Sequence, residues 1–349
     1  MPNMQRRSDV LAVLLVTLLL AVVLPAVLDP FRLNLIGKYL AFGFVAVGIV
    51  LTWGYGGVLS LGQGMFFGLG GYMMAMFLKL EASAPELPDF MVWSSVEQLP
   101  AWWQPFHSLG LTFLAILLIP AVLAYVFSYA IFRKRVSGVY FAIVTLSLAL
   151  TLTVVVIGQQ GDTGGANGIT DFRTLLGWDI LSDTAKRTMY FIEVAAMVLV
   201  MVLSLAIVRS RFGKILIAIR DREDRVRFSG YDTAHMKAFV FAVAAVLSSI
   251  GGAFYSLQVG LIAPSVIGVV ASVEMVIYAA VGGRLSIPGA VVGALLIGFL
   301  KSYLSEIFPE GWLYFLGAVF ILVVWAMPNG LAGLTDHLPW QRKARAARS

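Results

Sequence analysis

The residues of this 349-residue chain that could do chemistry are few and widely separated. Its three histidines, His107, His235 and His337, are scattered, and none belongs to an HExxH pair that would hold zinc. No GxSxG turn presents a nucleophilic serine. Cysteine is absent, which excludes disulfides, thiolate catalysis and Cys-ligated metal. The glycine run at 54–71, GYGGVLSLGQGMFFGLGG, lacks the GK[ST] that would cradle a nucleotide phosphate. The expectation is a chain that is not an enzyme, holds no metal or cofactor and does not itself hydrolyse ATP.

What remains is a small set of polar groups inside apolar runs. Glu193 and Lys301 lie near the ends of their runs, where long side chains can snorkel to the headgroups. Glu274 opens a short run and is expected to face a polar cavity or Lys301. Gln63 is an amide in an apolar helix and needs a partner that a polar solute could supply. Gly64, Gly68 and Gly71 recur at spacings of four and three, a small-residue stripe that lets another helix backbone approach. Thr163 and Asn167 sit in QQGDTGGANGITD, 159–171, whose glycines permit turns that other residues resist. The candidate solute path is therefore Gln63, Gly64, Gly68, Thr163, Asn167 and Glu274. No ladder of carboxylates crosses the apolar runs, which argues against a proton-driven carrier.

The elements that must position these groups follow from composition. Hydrophobic residues make up 60% and charged residues 13%, with a mean hydropathy of +0.89. Soluble chains carry about 25% charged residues, so lipid must be the main solvent of this one. Apolar runs fall at 10–28, 35–52, 58–78, 109–132, 138–157, 189–208, 238–257, 271–282, 290–303 and 313–327. A bilayer core takes roughly 20 apolar residues of helix, so these predict about ten spans. The fold class is all-α: one polytopic transmembrane domain over 1–340, interrupted by a polar loop at 209–237 and followed by a basic tail at 341–349.

Orientation follows from lysine and arginine. With alternating spans, Arg133, Lys134 and Arg135, the loop 209–237, Arg284 and the tail all fall on one side. That loop alone carries eight basic residues against four acidic ones. The opposite side receives 79–108, with one lysine against Glu81, Glu86, Asp89 and Glu97. Both termini are therefore predicted to be cytoplasmic. Trp93, Trp102 and Trp103 on the outer side suit headgroup depth. The formal charge of +6 is distributed between spans and does not suggest nucleic acid.

Within the basic loop, 219–228 predicts a short helix. Asp221 precedes Arg225 by four and Glu223 precedes Arg227 by four, the favourable order for ion pairs. Gly230 sits where a helix stops. A short charged helix between two spans suits docking on a partner.

The order of these features resembles the LivM-type permease subunits of ATP-binding-cassette importers for branched-chain amino acids. The matching strings are GYGGVLSLGQGMFFGLGGYMMAM (54–76), TGGANGIT (163–170), RFGKILIAIRDREDRVRFSGYD (211–232), FAVAAVLSSIGGAFYSLQVGLIAPS (241–265) and AVGGRLSIPGAVVGALLI (280–297). The resemblance implies a multi-pass subunit of the bacterial inner membrane, paired with a homologous permease. It also implies two ATP-binding subunits and a periplasmic solute-binding protein. By the same resemblance Asp221, Arg222, Glu223, Asp224 and Gly230 lie in the coupling helix seated on the ATPase. TGGANGITDF (163–172) and PDFMVW with LPAWWQPF (88–106) look more like the urea-type permease of the same superfamily, with Ala166 where that type often carries Asn. Urea or a short amide is thus the favoured solute. Branched-chain amino acids, or a stand-alone channel or secondary carrier, are the alternatives.

Overall fold

The computed structural model describes residues 2–136, 138–172, 174–326 and 330–333. The basic tail, His337 and the last residue of the tenth expected span lie outside the described residues. In chain order the helices are α1 (Asp9–Val27), α2 (Pro30–Tyr55), α3 (Gln63–Ser83), α4 (Leu109–Arg133), α5 (Val139–Gly158) and α6 (Asp183–Arg209). They continue with α7 (Arg211–Phe228), α8 (Thr233–Val259), α9 (Val269–Gly282), α10 (Ile287–Ile307) and α11 (Trp312–Ala326). Each expected span is represented by a helix, and the fold is all-α and polytopic. Seven of them, α1, α2, α4, α5, α6, α8 and α10, are long and apolar enough to cross a membrane. Helix α3 has the length, but its glycines, Gln63 and Lys79 dilute its hydropathy, while α9 and α11 are shorter.

The polar residues between the apolar runs start these helices. Asp29 accepts the amide of Arg32 and is followed by Pro30, which has no amide to leave unsatisfied. Ser182, Ser210, Asp232 and Ser286 cap α6, α7, α8 and α10 in the same way. Helix α3 begins at Gln63, five residues later than its apolar run. The intervening 56–62 is a turn in which Gly57 adopts φ +68° and Gly62 lies against the Thr145 carbonyl, where a Cβ would come within 2.2 Å.

The centre of the bundle is α8, packed against α2, α3 and α4. Burial separates inner from outer helices: 78% of the most apolar window of α2 and 67% of that of α8 are covered, against 22% for α4 and 28% for α5. The outer faces of α4 and α5 are therefore left to lipid or a partner subunit. The seam between α3 and α8 is backbone on backbone. A Cβ on Gly252 would sit 1.8 Å from the Phe67 carbonyl oxygen, and one on Gly70 1.9 Å from that of Ser249. Small residues permit this approach where lipid-like side chains supply no driving force of their own.

Contacts sort the loops into two ends. At the basic end Arg220 reaches the Gly54 carbonyl, the Tyr55 hydroxyl donates to the Leu285 carbonyl, and Arg133 and Arg227 border one cleft. At the tryptophan end Trp103 donates to the Asp162 carbonyl, Glu81 accepts from the amides of Leu176 and Gly177, and Lys79 pairs with Asp89 at 2.9 Å. The hydrogen bond from Lys79 holds the Asp89 carboxyl below the usual carboxylate range.

Candidate solute path and coupling site

The candidate path residues divide into three places. Gln63, at the first turn of α3, is fully buried against α8, where its Oε1 accepts from the Ser248 hydroxyl at 2.9 Å. Its Nε2 has no partner among the described residues. The same seam carries a second polar link, from the Ser256 hydroxyl to the Gly71 carbonyl at 3.0 Å.

The glycine stripe of α3 is covered. Positions 64 and 68 abut Ile267, and position 71 abuts Ile262, so that a Cβ at any of the three would come within 2.6 Å of a neighbour. The covering segment, 261–268, links α8 to α9 and is held from above by the outer loop. Ile169 and Ile262 exchange two backbone hydrogen bonds, at 2.9 and 3.1 Å. Gly168 makes the pairing possible with φ +74°, its α-carbon so close to the Ile262 carbonyl that a Cβ would stand 1.9 Å away.

Thr163 and Asn167 belong to that outer loop and are not beside Gln63. The Thr163 hydroxyl donates to the carbonyls of Val156 and Gln159, both at 2.7 Å, and so closes the end of α5. Asn167 is exposed. The tryptophan-rich segment packs on this loop through Trp103, whose indole N–H reaches the Asp162 carbonyl at 2.9 Å.

Glu274 is buried on α9, where its Oε2 accepts from the Lys301 ammonium at 2.7 Å and from the Tyr278 hydroxyl at 3.3 Å. Its Oε1 has no partner among the described residues. Lys301 does not snorkel away: it is drawn to Glu274 and lies 4.6 Å over the Trp312 ring, leaving 35% of its side chain exposed. Glu193 also departs from the snorkelling expectation. It is fully buried and accepts from Gln258 at 2.8 Å, in space that Gly37 on α2 leaves open by having no side chain.

The charged helix of the basic loop is longer than its sequence suggests. It begins at Arg211 and is broken at Arg222, whose φ of −154° and ψ of 78° are not helical. Its first half is fastened to the bundle through buried Gly213, Leu216 and Ile219. The break puts Asp221 and Arg225 on different helical segments, so the expected pair does not form, and Asp221 meets Arg220 at 3.0 Å instead. Glu223 does pair with Arg227, at 3.0 Å, and also with Lys237 at 2.8 Å and the Thr233 hydroxyl at 3.0 Å. Burial alone would raise its carboxyl, but Lys237, then Thr233 and Arg227, outweigh that and hold it below the usual carboxylate range. Glu223 thus ties α7 to the start of α8. Arg222 and Asp224 are exposed and make no ion pair among the described residues, Phe228 is 92% exposed, and Gly230 turns the chain with φ +87°.

Sequence reasoning missed Arg220. Its Nη1 donates to the Gly54 carbonyl at 2.7 Å, and its aliphatic stem covers Gly57, where a Cβ would come within 2.8 Å. The turn it holds abuts the next one, with the Arg284 carbonyl oxygen 1.8 Å from where a Gly54 Cβ would be. Nothing in the local sequence signals a backbone partner so far upstream.

A membrane-embedded helical bundle with buried polar pairs and a charged helix fastened to one end is the architecture of a permease subunit. The chain belongs to the family described as branched-chain amino acid transport system / permease component, whose model matches residues 31–324. It is 23% identical over 350 residues to the high-affinity branched-chain amino acid transport system permease protein LivM of Salmonella typhimurium, covering 92% of this chain and 75% of that one. It is 30% identical over 132 residues to the permease protein BraD of Pseudomonas aeruginosa, covering 38% of this chain and 43% of BraD. The xylose transport system permease protein XylH of Escherichia coli matches at 30% identity over 125 residues, 34% of this chain and 32% of XylH. No solved structure matches the chain. It is a multi-pass protein of the bacterial inner membrane.

Proposed function

We propose that this chain is the transmembrane permease subunit of an ATP-binding-cassette importer. It works with a homologous second permease, two ATP-binding subunits that carry ATP hydrolysis, and a periplasmic solute-binding protein. The observation that carries this reading is α7. Its first half is anchored in the bundle, while the second, tied to α8 through Glu223, presents exposed Phe228 with Arg222 and Asp224, which make no ion pair among the described residues. A partner that presses on the exposed half moves α7 as a lever against the turn at Gly54.

The basic end is cytoplasmic in this reading, because arginine and lysine are retained on that side. The absence of cysteine makes the test direct. In intact cells an impermeant thiol reagent should label Ser95→Cys, in the exposed tryptophan-end loop, and should leave Ser229→Cys unlabelled. Labelling of position 229 alone would invert the topology.

The solute we favour is small, polar and uncharged, with urea or a short amide first. Of the two segments whose sequences look urea-type, 88–106 reaches through Trp103 to the carbonyl of Asp162, the residue just before 163–172, which puts both at the tryptophan end. Gln63 and Asn167 donate and accept without imposing charge. A second reading, a branched-chain amino acid, is supported by the names of LivM and BraD and by the Glu274–Lys301 pair, which offers both charges to a zwitterion. Vesicles holding the whole transporter, binding protein and ATP should take up labelled urea in preference to labelled leucine. Leucine uptake with no urea uptake would establish the second reading. Uptake by vesicles holding this chain alone would instead point to a stand-alone channel or carrier.

A further inference from the structure

A cleft at the basic end lies outside the solute path, beside the second half of α7. It has a volume of about 250 Å³ and lies where α4 ends, with Arg133 and Arg135 on one wall and Arg227, Tyr231 and Asp232 on the other. Arg133 and Arg135 are exposed and have no ion pair among the described residues. Arg227 shares Glu223 with Lys237. The one carboxylate in the wall, Asp232, also caps α8. Asp232 Oδ1 accepts from the amides of Ala234 and His235, at 3.0 and 3.2 Å, and Oδ2 lies 3.7 Å from the His235 ring. Three arginines against one aspartate therefore give this concavity a net positive lining.

The backbone adds a second observation. Helix α4 closes with the Val136 amide on the Ile131 carbonyl, a helix end whose left-handed position is normally glycine. Here that position is Arg135, at φ +60°. A side chain in this conformation costs of order 1 kcal/mol or more, and here the side chain so held lines the cleft.

The surroundings say what kind of anion fits. Above the arginines, along the seam of α4 and α8, come Phe132, then Tyr129 stacked 4.4 Å from His235, then Tyr125, whose hydroxyl bonds His235. There a second cavity of about 330 Å³ opens, lined by Tyr125, Phe212, His235, Met236 and Phe239. On the outer faces nearby, Val126 is 61% and Tyr140 74% exposed. A cationic pocket thus lies beside an aromatic-lined one at the same end of the bundle, linked along α4 by Phe132, Tyr129 and Tyr125. We infer that this cleft binds the phosphate of an anionic phospholipid in the adjoining leaflet, with its chains along the aromatic groove. The inference needs only that the chain is embedded in a bilayer, and it holds for either solute.

The test uses the full chain in nanodiscs that mix phosphatidylglycerol with phosphatidylcholine of the same acyl chains, with retained lipid counted by native mass spectrometry. The expected result is a clear preference for phosphatidylglycerol, falling about fivefold in Arg135→Gly and about fivefold again when Arg133→Gln is added. Glycine suits the helix end at 135, so the first variant should melt no lower than the parent and separates recognition from folding. Millimolar inorganic phosphate should not displace the lipid. Equal retention of the two lipids, or a preference that survives both substitutions, would overturn the inference. Displacement by phosphate alone would mark a free-anion site and overturn it too. Loss of ATPase co-purification with lipid preference unchanged would assign the cleft to a protein partner instead.

Discussion

Replacing Arg220 by alanine is expected to cut transport at least about tenfold while leaving the ATPase subunits attached. The guanidinium donates to the Gly54 carbonyl at 2.7 Å, a charge-assisted bond that removes itself without touching the exposed half of α7. Bonds of this kind are worth about 1.5–3 kcal/mol, and about 1.4 kcal/mol is a tenfold change in an equilibrium. Asp224→Lys, on the exposed half, should do the reverse and weaken co-purification of the ATPase. Asp224 is a better choice for charge reversal than Glu223, because Glu223→Lys would also break the network with Arg227, Lys237 and Thr233. The two readouts are ATPase retained on the tagged permease and solute moved per ATP hydrolysed. If Arg220→Ala transported normally, the lever would not run through Gly54.

The second large effect is structural. Gly252→Val is expected to prevent a stable bundle, with loss of protein from the membrane or a melting transition too low to measure. Even the first carbon of that side chain would stand 1.8 Å from the Phe67 carbonyl oxygen, and this neighbour is helix backbone that cannot rotate away. Relief requires α3 and α8 to separate, which also stretches the Ser248–Gln63 and Ser256–Gly71 hydrogen bonds. Overpacking a core costs about 1–3 kcal/mol when side chains can yield, and more where they cannot. Gly158→Ala is the control. Position 158 has nothing within 4 Å of a new Cβ, so that variant should melt at or slightly above the parent temperature. A folded, active Gly252→Val protein would contradict the packing described for this seam.

The helices were legible because the apolar runs have the length that crosses a bilayer, and the capping residues that set their true starts went unread. Asp29–Pro30, Ser182, Ser210, Asp232 and Ser286 stand where helices begin. The glycine stripe of α3 was legible as a place of close approach, but not its occupant, since the covering segment lies some two hundred residues downstream. The Glu274–Lys301 pair was one of two named options for Glu274, whereas burial of Glu193 was missed. Proximity to a span end says where a charge can escape, not whether Gly37 on a neighbouring helix has left room for it. The short charged helix was found, but its break at Arg222 was hidden, because an ion-pair spacing assumes the regular helix it is used to predict. Thr163 and Asn167 were both placed in the candidate solute path, and the structure separates a hydroxyl that closes α5 from an exposed amide.

The bridge between Ile169 and Ile262 bears on how readily the closed arrangement can be left. Two net hydrogen bonds, at about 1 kcal/mol each, and the re-exposure of Ile262 and Ile267, at about 1.5–3 kcal/mol each, are what hold the covering segment over the stripe. That is on the order of 5–8 kcal/mol, close to the roughly 5.5 kcal/mol that carries a two-state equilibrium from 1:99 to 99:1. A cover held at this depth would stay in place unaided in thermal agitation. It is also shallow enough for one protein, bound at the tryptophan end with higher affinity for the uncovered state, to make that state the majority.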